Sequence, residues 1–363
     1  MKKTALLLAF SLVLSTLVTA ADVTVGGWFE THGKVRTMSG DAATDDEKDT
    51  RIMHGTNEFS VNVNVNGEGF GATAHLGGWS GEAMGIASVD GVNSGHIWAE
   101  MLPGLKVSAG IGIETLDYAP TAASTYWNDQ FGLGIGKYNY MGYGPYTGGV
   151  TGLTAEYTMD ALSAALVVKN DFTGGDWSFT GLEKFEDATK NMFNVNVKYA
   201  LDVATIYAGF SQKTVTDANG DDEAQPAIWV AASTSVVEGL ILDLKYEGIF
   251  AADAVNSPTV ISANLGYNLG MVNIKTTEEI TLVDGDMGWA ADATITPALP
   301  VALGLDIKAG FKQANPDADM LYKVGGVVSK GYGNVGASLG VDYELVAEDK
   351  TQLTVDAKMS IWF

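Results

Sequence analysis

Four histidines, His32, His54, His75 and His96, are the side chains here best suited to moving protons or holding a metal near neutral pH. Catalysis would need them in a nucleophile or ligand pattern such as G-x-S-x-G or H-E-x-x-H, and none stands in one. Their spacing supports no metal site, and there is no cysteine to supply a thiolate or a disulfide. His75 sits between Ala74 and Leu76 on an alternating segment, which makes it a wall residue rather than a base. Two further patterns fail on inspection. Gly132-Leu133-Gly134-Ile135-Gly136 lacks the strand-to-helix context of a phosphate loop. Asp217-x-Asn219-x-Asp221 begins like a calcium loop, but Asp222 stands where glycine is needed and Ile228 where the closing glutamate belongs. The chain reads as a non-enzyme with no cofactor and no metal.

The remaining polar residues are informative through their period. Asn62 and Asn64 alternate with Val61, Val63 and Val65. Lys106 and Glu114 bracket a run in which Val107, Ala109, Ile111 and Ile113 are apolar. Asn194, Asn196 and Lys198 alternate with Phe193, Val195, Val197 and Tyr199. Asp243, Lys245 and Glu247 alternate with Leu242, Leu244 and Tyr246. Asp306 with Lys308, Asp342 with Glu344, and Asp356 with Lys358 follow the same rule. Strict alternation means strands with one polar and one apolar face. Such polar sets are mixed in sign, and burying them dry would cost several kcal/mol each unless paired. A hydrated lumen is their natural place.

The elements that position them follow from this. The chain ends on an alternating strand, with Leu353, Val355, Ala357, Met359, Ile361 and Phe363 apolar and no tail beyond. A terminal strand with so apolar a face must pair on both edges, which a closed barrel in lipid provides. The expected fold is all-β: a closed antiparallel transmembrane β-barrel of 18 strands, with 16 as the alternative because residues 251–296 alternate weakly. Strands of about ten residues, tilted about 40°, span the roughly 25 Å lipid band. Short connections (66–68, 102–104, 160, 200–201, 238–239, 268–270, 296–300, 329–332) alternate with longer polar ones. The longer ones are 38–56, 80–92, 116–150, 171–190, 214–225, 251–258, 282–287, 313–319 and 346–350. That alternation predicts tight periplasmic turns, long outer loops and both termini on the periplasmic side. A soluble sandwich or propeller would want an apolar interior and, for the propeller, a blade repeat; neither is present.

Lys2 and Lys3, an apolar stretch to about Val18, and Val18-Thr19-Ala20 form a signal peptide over 1–20, leaving one barrel domain over 21–363. The net charge of −23, with only Arg36 and Arg51 as arginines, excludes nucleic acid as a partner. The mean hydropathy of +0.09 is low for a membrane protein, as expected when every second residue is polar.

The 116–150 connection is the longest and carries Tyr118, Tyr126, Trp127, Phe131, Tyr138, Tyr140, Tyr143 and Tyr146. A loop so long and aromatic is expected to be functional or to fold against something. Its Asp129-Gln130-Phe131-Gly132 is similar to the acid-x-Phe-Gly segment in the inward loop of Gram-negative general porins. The signal peptide, the C-terminal Phe363 and the turn-and-loop alternation resemble that family too, over nearly the whole mature chain.

The resemblance implies an outer-membrane porin for passive diffusion of small hydrophilic solutes and ions. It implies a loop after the fifth strand folded into the pore, with Asp117, Asp129, Phe131, Tyr126 and Trp127 at the constriction. Lys106, Glu114, Lys198, Asp243, Lys245 and Glu247 would line the wall. It also implies outer-membrane lipid and the barrel-assembly machinery as partners, the latter through an insertion signal of Phe363, Ile361 and Met359, and a homotrimer. The chain departs from the family in lacking a wall cluster of arginines, so lysines such as Lys106, Lys198 or Lys245 would have to oppose the loop. Net acidity points to weak cation preference. Two alternatives stand: a surface adhesin or antigen with a closed lumen, and a sugar-selective porin using stacked aromatics.

Overall fold

The computed structural model describes residues 21–48, 50–80, 92–113, 118, 150–169, 192–216, 222–250, 259–283 and 285–363. Residues 1–20, where the signal peptide is expected, lie outside them. The strands are β1 (Ala21–Ser39), β2 (Arg51–Gly67), β3 (Phe70–Ser80), β4 (Val92–Leu102), β5 (Leu105–Ile113) and β6 (Val150–Met159). They continue with β7 (Leu162–Lys169), β8 (Met192–Ala200), β9 (Ala204–Thr216), β10 (Asp222–Thr234), β11 (Leu240–Ile249) and β12 (Thr259–Asn268). The last are β13 (Val272–Val283), β14 (Asp286–Pro297), β15 (Gly304–Gln313), β16 (Leu321–Tyr332), β17 (Val335–Ala347) and β18 (Lys350–Trp362). One short helix, α1 (Asp45–Lys48), sits between β1 and β2.

Each strand pairs antiparallel with its neighbours in sequence, and β1 also pairs with β18, so the 18-stranded sheet closes on itself. The seam runs from Trp28 opposite Trp362 to Ser39 opposite Thr351. It is extended by Gly27 N–H donating to the Phe363 carbonyl at 2.8 Å and Phe363 N–H donating to the Gly27 carbonyl at 2.9 Å. Closure leaves no sheet edge to meet lipid, which is what permits a β-structure to span a membrane. The 251–296 region, weak in alternation, contributes the full strands β12, β13 and β14, so 18 strands hold and 16 do not.

The phase of each strand is as expected. Val195, Val197, Leu244, Tyr246, Ile261, Ile307, Val341 and Ile361 lie exposed on the outer face, while Asn194, Asn196, Asp243, Lys245, Ser262 and Lys308 point inward. Register slips by a residue at several pairs, and the slip between β5 and β6 changes which side chain faces inward. Between Gly110 and Ile113, β5 slips by a residue against β6. Gly110 has φ of 140°, where a Cβ would run into the Gly95 carbonyl, so glycine is required there. The bulge turns Ile113 inward, fully buried against Val167 on β7, where simple alternation had it facing lipid.

Connections differ from expectation at several hairpins. The segments 282–287 and 346–350 are strand for most of their length, leaving only residues 284–285 and 348–349 between strands. Gly285 (φ 87°) and Asp349 (φ 53°) supply the left-handed residue such tight turns need. Strands β9 and β10 likewise extend into 214–225. The 296–300 turn is longer than expected, because Val301 and Leu303 precede β15 rather than belonging to it.

Candidate functional site in the barrel interior

The inward faces of the strands form two unlike walls. From Ser108 on β5 round to Glu279 on β13, nearly every mid-strand inward side chain is buried. From β14 through β18 to β1, most inward charges keep access to solvent, among them Glu30, His32, Asp342, Glu344, Asp356 and Lys358.

The open wall is a ladder of ion pairs. Lys358 Nζ donates to Glu30 at 2.5 Å, and His32 Nε2 lies 2.6 Å from the other oxygen of the same carboxylate. His32 Nδ1 faces Asp356 at 3.5 Å. Lys323 stands 3.8 Å from both Asp342 and Glu344. Thr296 donates to Asp306 at 2.6 Å. These contacts hold both signs of charge at the surface of the bore, so its electrostatics are set by local pairs rather than by one block of either sign.

The covered wall is organised by strand register. Lys106, Glu156, Ala165, Asn196, Gly209, Trp229 and Glu247 stand opposite one another in a single row from β5 to β11. The Trp229 indole lies across Gly209, whose missing side chain makes room for Nε1. Tyr118, the one described residue between β5 and β6, is fully buried with Ala165, Tyr207, Trp229 and Ala231, and its hydroxyl lies beside the Glu156 carboxylate. All four of those partners point into the barrel, so Tyr118 lies on the lumen side of the wall.

The expected lining residues distribute between these surfaces. Lys245 and Glu247 point inward but are almost wholly buried, paired at 3.4 Å. Asp243 is inward and fully buried beside them on β11. Lys106 points inward, 3.9 Å from Glu156 and 5.6 Å from the centre of the Trp98 ring. Lys198 stands 5.8 Å over the Tyr207 ring. His75 faces inward, its Nε2 2.7 Å from the Ser60 hydroxyl. Met359, Ile361 and Phe363 are exposed on the outer face. Glu114, Asp117, Tyr126, Trp127, Asp129 and Phe131 lie outside the described residues.

Sequence reading passed over Trp98, Glu156, Trp229 and Glu30, while it phased Lys358 inward and named His32 only among the histidines. Period-2 phasing held the signal for three of them: Trp98 follows outward Ile97, Glu156 lies between Ala155 and Tyr157, and Trp229 lies between Ile228 and Val230. Among the described residues no cluster of histidine and carboxylate could hold a metal ion.

The architecture is a closed 18-stranded antiparallel barrel of outer-membrane porin type. Among solved structures, the chain is similar to a triple mutant of the Rhodobacter blastica porin, at 15% identity and a TM-score of 0.50, over 94% of this chain and 100% of that one. A second mutant of the same porin aligns at 14% identity and 0.48, with the same coverage. OmpT, an outer membrane protein of Vibrio cholerae, aligns in a loop-deleted form at 11% identity and 0.46, over 95% of this chain and 100% of that one. At these identities the likeness is one of fold. No family model and no curated protein matches the chain.

Proposed function

We propose that this chain is an outer-membrane channel for passive diffusion of small hydrophilic solutes and ions, and not an enzyme. The observation that carries the reading is a sealed barrel with hydrocarbon outside and a solvent-accessible wall of charged side chains inside. Charges are kept in such a bore because water and ions pass them. Residues 1–20 would direct export and be removed. The apolar outer belt would sit in outer-membrane lipid, and the terminal strand with Phe363 would be read by the barrel-assembly machinery. The resemblance to porins would make the assembly a homotrimer.

The 116–150 loop would fold inward and narrow the bore, leaving the passage along the β14–β18 and β1 wall. Two facts support this: Tyr118 is buried among inward residues, and the wall it rests on is covered while the opposite wall is not. Asp117 and Asp129 would be its charged groups, and excess acid would make the channel weakly cation-preferring. Planar-bilayer recording of the purified chain tests all of this. A stable channel is expected, and its conductance should rise when 126–146 is deleted; unchanged conductance would remove the constriction from the reading.

The covered wall also favours a second reading, a surface antigen whose lumen is closed. Absence of any stable channel would select it.

A further inference from the structure

Near the short-turn end of the bore, on the inner face of β4, β5 and β6, lies a cavity of about 270 Å³ lined by Trp98, Glu100, Gly104, Lys106, Glu156 and Thr158. We propose that this cavity is a binding subsite for a neutral polyhydroxylated ring, a monosaccharide or the end unit of an oligosaccharide. The proposal deepens the channel reading and rests on it, since it gives one class of solute a resting place on the path.

The site is built rather than incidental. Trp98 is fixed because its indole lies across Gly71 on β3, where any side chain would collide with it. Strand register sets Glu100 opposite Lys106, and Lys106 opposite Glu156. The Glu100 carboxylate accepts from Gly104 N–H at 2.9 Å, which pins it to the β4–β5 turn. Glu156 is buried between Lys106 on one side and the Tyr118 hydroxyl on the other. Lys106 Nζ, 5.6 Å from the ring centre, leaves Trp98 part of the cavity lining. The volume is close to the lower end of small-molecule sites, about 300 Å³, which suits one sugar ring and little more.

The choice of ligand class follows from the groups present. Two carboxylates disfavour an anion. An organic cation would bring like charge up against Lys106, which stands over the Trp98 ring and beside Glu156. A neutral polyol carries no charge to be repelled. Carboxylate oxygens accept from its hydroxyls, Lys106 donates to them, and Thr158 does either. The apolar C–H groups of a sugar ring rest against the part of the indole that lines the cavity beside Lys106.

The test is isothermal titration calorimetry on the full mature chain refolded in detergent, with glucose and maltotriose as probes and tetramethylammonium chloride as the competing class. Saturable sugar binding is expected. Trp98→Ala should weaken it about tenfold or more, the size of one well-made contact, and Trp98→Phe and Glu156→Gln by less. Trp98→Phe and Glu156→Gln keep the shape of the site, so they decide the matter if Trp98→Ala does not give a heat-modifiable barrel. No saturable heat with sugar, binding indifferent to all three replacements, or saturable binding of tetramethylammonium in place of sugar would overturn the proposal. Because calorimetry reads binding without ion flow, a chain that conducts but binds no sugar refutes the subsite alone. A chain that binds sugar yet forms no channel supports the subsite and refutes the channel.

Discussion

At the scale of single residues, the barrel imposes opposite rules on neighbours. Leu244 is half-exposed on the outer face, while Asp243 and Lys245 on either side are buried inside. A lysine is therefore stable at 245 because its charge meets carboxylates, Glu247 at 3.4 Å with Glu279 also near, rather than hydrocarbon. Moving that charge one residue along the strand should be costly. Leu244→Lys, near the middle of β11, is expected to destabilise the folded barrel by about 2–4 kcal/mol, the range for lysine at the midplane of a lipid-facing strand. Reversible urea unfolding in lipid vesicles measures it. Stability equal to the parent would mean that position 244 does not face lipid.

At the scale of elements, the seam and the outer rim hold the structure closed. Gly27 lies where the terminal Phe363 ring and the Ser60 carbonyl leave no room for a side chain. Gly27→Val should push the C-terminal strand off the seam and reduce the yield of heat-modifiable barrel several-fold, whereas Gly331→Val, where a Cβ meets nothing, should not. At the start of α1 the Thr44 N–H and hydroxyl both donate to the Glu47 carboxylate, and Glu47 also receives Lys350 of β18 at 2.8 Å. The bond from Lys350, with those from Thr44, holds the Glu47 carboxyl at about 2, down from its ordinary 4.5. Because the folded-state value is the lower one, the contribution to stability is full above about pH 4.5 and is lost as pH falls through about 2. Limited proteolysis between β1 and β2 should stay slow at pH 4 and quicken below pH 3, while Glu47→Gln should be fast at both.

These elements also show what was legible in the sequence. Side-chain phase was, because lipid outside and polar groups inside force a strict period of two on Phe193–Tyr199 or Leu240–Glu247. The extent of the outer hairpins was not. Polar strand ends beyond the lipid band, such as Asp286 and Lys350, have the composition of loops. The inward turn of Ile113 was hidden too, since Gly110 is one glycine of many until its backbone conformation is known. Alternation places Asn196 and Asp356 equally inside; only packing buries the first and leaves the second accessible. The cavity beside Trp98 depends on register across three strands, which no single segment records.

At the scale of the whole molecule, the net charge of −23 is a poor guide to how ions pass. Much of the excess acid lies between the strands, in connections such as 41–49 and 348–349, where salt screens it: the Debye length is about 10 Å at 0.1 M and about 3 Å at 1 M. On the proposed path, the carboxylates an ion would pass closely are those of the open wall, and several are already engaged. Glu30 is shared between Lys358 and His32, and Lys323 is divided between Asp342 and Glu344. That pairing predicts weak selectivity with a marked salt dependence. In a KCl gradient the parent channel should give a small reversal potential of cation-selective sign at low salt, shrinking toward zero at molar salt. Asp342→Asn together with Glu344→Gln removes two negative charges beside Lys323 and should carry the low-salt potential through zero to the anion side. Replacing rim acids such as Asp41 and Glu348 by their amides should move it far less. Were the rim replacements the ones to reverse the sign, ion choice would be made at the outer mouth and not along the open wall.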